Sequence, residues 1–309
     1  MKIDLYASCW NEGDMLPFFF LHYDKLVQRY IIYDDASTDD SQEILRRNPK
    51  VELRPMPPYS DPDSRLRSQL ALQETYWRES RGIADWVIVT DIDEHLYHPD
   101  IYHYLAQCRA QGVTIIPALG YQMLSEQFPE HKTLLCHSLT RGACDAAYSK
   151  LNIFSPNEID AVNYSPGRHT AAPTGRVVLP ARDELLLLHY RYLDFERLRK
   201  RHTQVFTTRQ RKTDIAMGFG FHYSWSSEHL REVWNLIASR LVDISQPDLR
   251  PWETHEGPRW WRSPDLRPWE SHEWPPWWRL ASIRRRRSIP VVLHSLISRL
   301  KKWKRGIQI

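Results

Sequence analysis

Residues 85–94 read Asp-Trp-Val-Ile-Val-Thr-Asp-Ile-Asp-Glu. The run DWVIVT is almost wholly apolar and rich in β-branched residues, the composition of a strand buried on both faces. The acidic DIDE that follows marks the carboxyl edge of a sheet, where open α/β sheets bind ligands. Side chains two apart on an extended segment point the same way. The sequence therefore predicts that Asp91 and Asp93 project together from that edge. An acid-x-acid triplet also suits a surface turn, and it is the buried strand before it that favours a site. Two hard carboxylates with open positions suit Mg²⁺ or Mn²⁺ holding a diphosphate, the metal taking up leaving-group charge.

Upstream, apolar runs alternate with helical periodicity. Strands are expected at 3–9 (IDLYASC), 30–33 (YIIY) and 51–55 (VELRP), and a further one downstream at 113–117 (VTIIP). Helices are expected at 15–27, where Leu16, Phe19, Phe20, Tyr23 and Val27 share a face, at SQEILRR behind an Asp39/Gln42 capping box, and at 63–80. This βαβαβ order implies a mainly parallel sheet with helices on both faces. Beyond residue 120 the pattern is less regular. LLLLHYRY (185–192) reads as a buried strand, 195–208 as a basic helix and 228–242 as an amphipathic one.

Two further strand ends carry polar groups. YIIY runs into Asp34-Asp35-Ala36-Ser37-Thr38-Asp39-Asp40. Capping a helix needs one acid, here Asp39, and this stretch has four. Asp34 or Asp35 is expected to accept from a base N–H or a ribose hydroxyl. The first strand ends in Ser8-Cys9-Trp10-Asn11-Glu12, where one aromatic and two polar side chains suit a base and ribose.

Together, CWNEGDMLPFFFLHY, YIIYDDASTDDS and ADWVIVTDIDEHLYH resemble the nucleotide-binding half of a family 2-type glycosyltransferase with the GT-A fold, in the variant with D-x-D-E after a Trp-containing strand. The blocks stand in the family's order over residues 3–98, and a looser likeness runs on to about residue 211. The resemblance implies that Asp91 and Asp93 bind Mn²⁺ or Mg²⁺ and the diphosphate of a nucleotide-sugar donor. It implies that Asp34 or Asp35 contacts the base and that Trp10, Asn11 and Glu12 line the donor pocket. It points to a later His completing the metal site, His189 or its rival His169, and to Lys150 neutralising donor phosphate. An inverting transfer needs a base for the acceptor hydroxyl. The family's downstream acid is not clean here, and Asp145, Asp183 and Glu184 are the candidates. Two rivals stand beside this reading. A nucleotidyltransferase is disfavoured, since only Gly13 stands where a glycine-rich triphosphate loop belongs. A non-catalytic carbohydrate-binding or scaffold protein would leave the Asp91/Asp93 pair unexplained.

The 309 residues suffice for one large domain with appendages, expected as a GT-A domain at 1–246 (nucleotide half 1–120, acceptor half 121–246), a duplicated segment at 247–280 and a tail at 281–309. With 42% hydrophobic and 26% charged residues, the chain is not disordered throughout. Four cysteines without C-x-x-C spacing exclude a zinc knuckle or disulfide framework. PDLRPWETHEGPRWWR (247–262) recurs as PDLRPWESHEWPPWWR (264–279), identical at 13 of 16 positions. Its prolines oppose regular helix or central strand, and its tryptophans suit a sugar, lipid or partner surface or a linker.

The net charge of +4 hides an asymmetry. Nine Lys or Arg and no acid fall between Arg284 and Arg305, leaving about −5 for the rest. This argues against nucleic acid as partner and for a tail that meets an anionic surface. Val292, Leu293, Leu296, Leu300 and Trp303 follow the four-Arg run at helical spacing, the pattern of an interfacial helix. No apolar stretch is long enough to span a bilayer, and the N-terminus is too short and acidic for a signal peptide. The expected location is cytoplasmic, on the inner membrane face, with a glycan or glycolipid acceptor from envelope or extracellular polysaccharide synthesis. Each basic residue near an anionic bilayer contributes about 1 kcal/mol. The full chain should therefore co-sediment with anionic vesicles and be released by high salt, whereas a chain ending at Leu280 should not bind. Equal sedimentation of both would refute the tail as anchor.

Overall fold

β1 (Ile3–Cys9), β2 (Arg29–Asp34), β3 (Val51–Pro55) and β4 (Trp86–Asp91) pair in parallel in the order β3-β2-β1-β4. Helices α1 (Leu16–Tyr23), α2 (Ser41–Arg47) and α3 (Arg65–Gln73) connect them, with a 3₁₀ turn at Tyr76–Ser80. The βαβαβ expectation holds for this half of the sheet. The computed structural model describes residues 1–129, 133–257 and 259–262, and the account that follows concerns the unit Met1–His255. The second copy of the Trp/Pro segment and the basic tail lie outside the described residues.

Several boundaries differ from the periodicity. The helix expected at 15–27 ends at Tyr23, and that expected at 63–80 is α3 plus the 3₁₀ turn. No side chain caps α2 at Asp40. Asp39 accepts instead from the backbone N–H groups of Gly13 and Ser41, each at 3.0 Å. In the first Trp/Pro copy, proline opens the short helix Pro251–Thr254 at a first-turn position, where it has no N–H to lose.

After β4 the chain turns into β5 (Glu94–Tyr97), then runs through α4 (Ile101–Ala110), β6 (Ile115–Ser125), α5 (Leu135–Ser138), β7 (Arg141–Cys144) and β8 (Lys150–Phe154). β9 (Ile159–Ala161) and β10 (Thr174–Gly175) form a separate antiparallel pair. β11 (Leu185–Leu193), α6 (Phe195–Thr208), α7 (Lys212–Ala216), α8 (Ser227–Ala238), β12 (Val242–Asp243) and α9 (Pro251–Thr254) complete the order. The ten-stranded sheet is mixed. β8 runs antiparallel between β4 and β6, while β11 is parallel to β6 and antiparallel to β5. The sequence expectation at 113–117 caught only the start of β6 and missed β5.

Two packing arrangements position the cleft. Asp194, at φ +61°, caps α6 by accepting from the backbone N–H groups of Glu196 and Arg197. The helix is then seated by Tyr192, Phe195 and Leu198 against Leu230 and Trp234 of α8. Between β7 and β8 a 3₁₀ turn, Ala146–Tyr148, crosses Gly120 of β6. A Cβ there would stand 2.5 Å from the Tyr148 carbonyl carbon and 2.6 Å from the Asp145 oxygen. Among the described residues no helix is long and apolar enough to cross a membrane.

Overpacking of this kind costs about 1–3 kcal/mol. Gly120→Ala should lower the urea midpoint accordingly, because both clashing atoms are backbone and cannot swing away. An unchanged midpoint would show that the turn yields freely.

Candidate active site

Asp91 closes β4, the chain turns through Ile92 and Asp93, and Glu94 opens β5. The extended segment expected for D-x-D is thus a tight turn, and its carboxylates part company. Glu94, 1% exposed, faces inward. It takes an ion pair from Lys150 and accepts from Arg168 Nη2 at 2.9 Å. Burial alone would raise its carboxyl, but Lys150 and Arg168 outweigh it and bring Glu94 down to about 2. Asp91 leans on the same guanidinium, with Arg168 Nη2 2.8 Å from its Oδ2. Arg168 is fully buried, at φ +58° after a glycine at φ +75°. A non-glycine residue held there signals a local arrangement set by its surroundings.

Asp93 meets His189 of β11, Nε2 lying 3.3 Å from Oδ2. Loss of water would raise Asp93, but the charge and hydrogen bond of His189 hold its carboxyl well below the usual range. The imidazole is fixed on its far side, where Nδ1 lies 2.8 Å from Gln122 Oε1 and the Tyr148 ring stacks on it at 5.0 Å. Gln122 in turn donates to Asp145 at 3.1 Å.

Asp91, Asp93, Glu94, Lys150, Arg168 and His189 line a cleft of about 440 Å³ together with Trp10, Glu12, Asp35, Arg191 and the inner face of α6. That face carries Arg197 and Arg201 four residues apart, with Arg209 just beyond the helix end. Arg197 pairs with Asp14, Nη2 standing 3.0 Å from Oδ1. Arg201 pairs with Glu12 and donates to the Trp10 and Asn11 carbonyls at 2.9 and 2.8 Å. Arg209 pairs with Asp35. The guanidinium carbons of Arg201 and Arg209 stand 4.8 and 4.6 Å from the Trp10 ring centroid. Burial pushes Glu12 up to about 8 despite Arg201.

The structure sorts the sequence candidates. It brings Asp91, Asp93, His189, Trp10, Glu12 and Asp35 to one cleft. Asn11 does not line it. At φ +50°, Asn11 braces the neighbouring turn, accepting from Thr38 N–H at 2.7 Å. Asp34 is likewise a brace, accepting from Gln42 Nε2 at 2.7 Å and Ser37 N–H at 3.1 Å, so Asp35 is the acid that faces the cleft. Lys150 lines the cleft, but its charge is spent on Glu94. His169 also reaches the cleft, yet its Nδ1 meets the Ala147 carbonyl at 2.8 Å and burial lowers it to about 3. Of the three base candidates, Asp145 stands behind Gln122, outside the cleft lining. Asp183 and Glu184 precede β11 and belong to its other end, Glu184 lying 3.7 Å from His98. Arg168, Arg191 and the α6 arginines were not among the sequence candidates. The four-residue Arg spacing on a predicted basic helix was the available signal.

Among the described residues no three His, Cys, Asp or Glu side chains close a metal site by themselves. Asp93 and His189 nonetheless supply an adjoining oxygen and nitrogen, with Asp91 at the same strand edge. That donor set fits a divalent cation held by one or two carboxylates and completed by substrate phosphate oxygens.

No family model and no curated protein matches the chain. Solved structures similar to it include S. aureus TarS 1–349 in complex with UDP, at 10% identity over 50% of this chain and 47% of that one, TM-score 0.30. TarS 1–349 with UDP-GlcNAc gives 9% identity over 78% and 72%, TM-score 0.32. Glucosyl-3-phosphoglycerate synthase from Mycobacterium tuberculosis, with Mn²⁺, UDP and phosphoglyceric acid, gives 17% over 39% and 43%, TM-score 0.27. The chain thus spans about half of the first of these. At such scores the reading of the site rests on its own geometry.

Removing one partner of a buried ion pair costs about 3–5 kcal/mol. Glu94→Gln should lose about that much stability at pH 7 by urea denaturation. The folded carboxyl lies below its ordinary 4.5, so its contribution is complete above about pH 4.5 and fades as pH falls toward 2. The gap between wild type and variant should narrow over that window. A constant gap would mean the charge of Glu94 is not what matters.

Proposed function

We propose that the cleft binds a nucleotide-sugar and transfers its sugar to an acceptor hydroxyl, in keeping with the resemblance of the sequence to family 2-type glycosyltransferases. The observation that carries this reading is that the Asp93–His189 pair and Asp91 line the same cleft at the carboxyl edge of the sheet, walled by guanidinium groups. Such an edge suits a diphosphate, and the guanidinium wall suits its negative charge.

Trp10 and Asp35, at the ends of β1 and β2, are the groups for the base and ribose. Asp91, Asp93 and His189 would hold the divalent cation, Mn²⁺ or Mg²⁺. When bound, that cation supplies positive charge against the departing diphosphate. Gln122 and Tyr148 keep the His189 ring oriented, and Arg168 sets Asp91. Transfer also needs a group to take the acceptor proton. Glu12 also faces the cleft, but Arg201 engages it and burial raises it to about 8, so it is free to take a proton only as pH rises toward that value. The acceptor is a glycan or glycolipid hydroxyl, and the basic tail suits an acceptor at an anionic membrane.

A screen of UDP-, GDP-, dTDP- and CMP-sugars for metal-dependent hydrolysis tests the reading. Asp93→Asn should abolish hydrolysis of whichever donor responds, and Asp91→Asn should reduce it at least tenfold, with the fold retained by circular dichroism. His189→Ala should raise the Mn²⁺ concentration for half-saturation, and His169→Ala should not. Full activity in both Asp variants, or an unshifted Mn²⁺ titration for His189→Ala, would sink the metal assignment.

A further inference from the structure

The cations of the cleft are not equivalent. Lys150, Arg168, Arg197, Arg201 and Arg209 each stand within ion-pair distance of a carboxylate. Arg65 and Arg191 have no such partner among the described residues. Arg65 sits at the start of α3 and bonds to Gln69 at 2.9 Å. Arg191 sits on β11, two residues beyond His189, and both arginines line the cleft.

What holds Arg191 is neutral. Its Nη2 donates to His202 Nε2 at 2.5 Å, which makes that nitrogen the acceptor of an uncharged imidazole. Its guanidinium carbon lies 5.3 Å from the centroid of the Tyr223 ring. A half-buried cation whose contacts are neutral, with Asp93 acting on it only through space, is expensive to maintain and positioned rather than neutralised. Arg65 apart, the other cleft arginines and Lys150 share their charge with fixed acids, whereas that of Arg191 is available to an incoming anion beside the Asp93–His189 pair.

We propose that Arg191 is the oxyanion receptor of the cleft, taking phosphate oxygens of the donor's diphosphate beside the Asp93–His189 pair. The inference rests on the proposed glycosyl transfer for the identity of the donor, but not for the presence of the anion site. The planar fork of a guanidinium can grip two oxygens at once, which a lysine ammonium cannot.

The probe is inorganic pyrophosphate, titrated calorimetrically into the full chain in EDTA, so that neither the base nor a metal enters. Wild type should bind it, and more weakly as salt rises. Arg191→Gln should weaken binding about tenfold to a hundredfold, the loss of a charge-assisted hydrogen-bond pair. Arg191→Lys keeps the charge and should fall between the two, so the test survives if the Gln variant fails to fold. Wild-type affinity in either folded variant, or no pyrophosphate binding by wild type, would overturn the proposal. So would a defect confined to the acceptor KM with pyrophosphate affinity intact, since the anion would then belong to the acceptor. If no sugar donor reacts while pyrophosphate binding still depends on Arg191, the receptor stands and glycosyl transfer falls.

Discussion

Glu94 is the group on which the cleft is built. It opens β5 one residue after a turn, and its carboxylate is sealed between Lys150 of β8 and Arg168 of the 166–168 turn. Burying three charges is costly, and the surroundings only partly repay it. Asn152 approaches the second oxygen of Glu94 at 3.5 Å and the Glu94 carbonyl accepts from Tyr23 at 3.1 Å, while Arg168 Nη1 is buried without a hydrogen-bond partner among the described residues. The triad joins β5 to β8 and to a loop before β11. Once it is formed, Arg168 is placed to hold Asp91, and the turn presents Asp93 to His189 while the Asp93 carbonyl accepts from Tyr190 N–H at 2.8 Å.

The rest of the cleft answers the acids with arginines from α6 and the residue that follows it. α6 sends one face of guanidiniums to the loops behind β1 and β2, where Glu12, Asp14 and Asp35 receive them. Pairs at the cleft rim gain little individually. Their effect is geometric, because they fix where the Trp10 ring stands and, among the described residues, leave Arg191 outside any ion pair.

What the sequence disclosed follows from how each signal is encoded. DWVIVT was legible because a strand covered on both faces must be apolar at nearly every position. EHLY was not, because four residues after a turn carry too little periodicity, its Glu is buried for its ion pairs and its His is buried among aromatic rings. The acidic triplet was found, but its shape was misjudged, since spacing says nothing of a turn at Ile92. Asp34 and Asp35 are chemically alike, and only the backbone decides that one braces a turn while the other faces the cleft. Asp183 and Glu184 looked suitable beside LLLL, yet β11 enters the sheet from that end and reaches the cleft at its other. Arg168 and Arg191 left no local mark, because their meaning depends on partners from other elements.

The separation of those partners has a consequence for how the protein comes into being. Arg168 lies 77 residues from Asp91, and Arg201 lies 189 from Glu12. Closing such long loops is entropically unfavourable until many contacts form together. As the chain leaves the ribosome, the parallel half is complete in sequence when β4 emerges, while every cation that will settle its acidic turn is still unmade. That nascent edge repels itself and water keeps it open. The cleft is therefore expected to be completed only when the second half arrives to discharge the first.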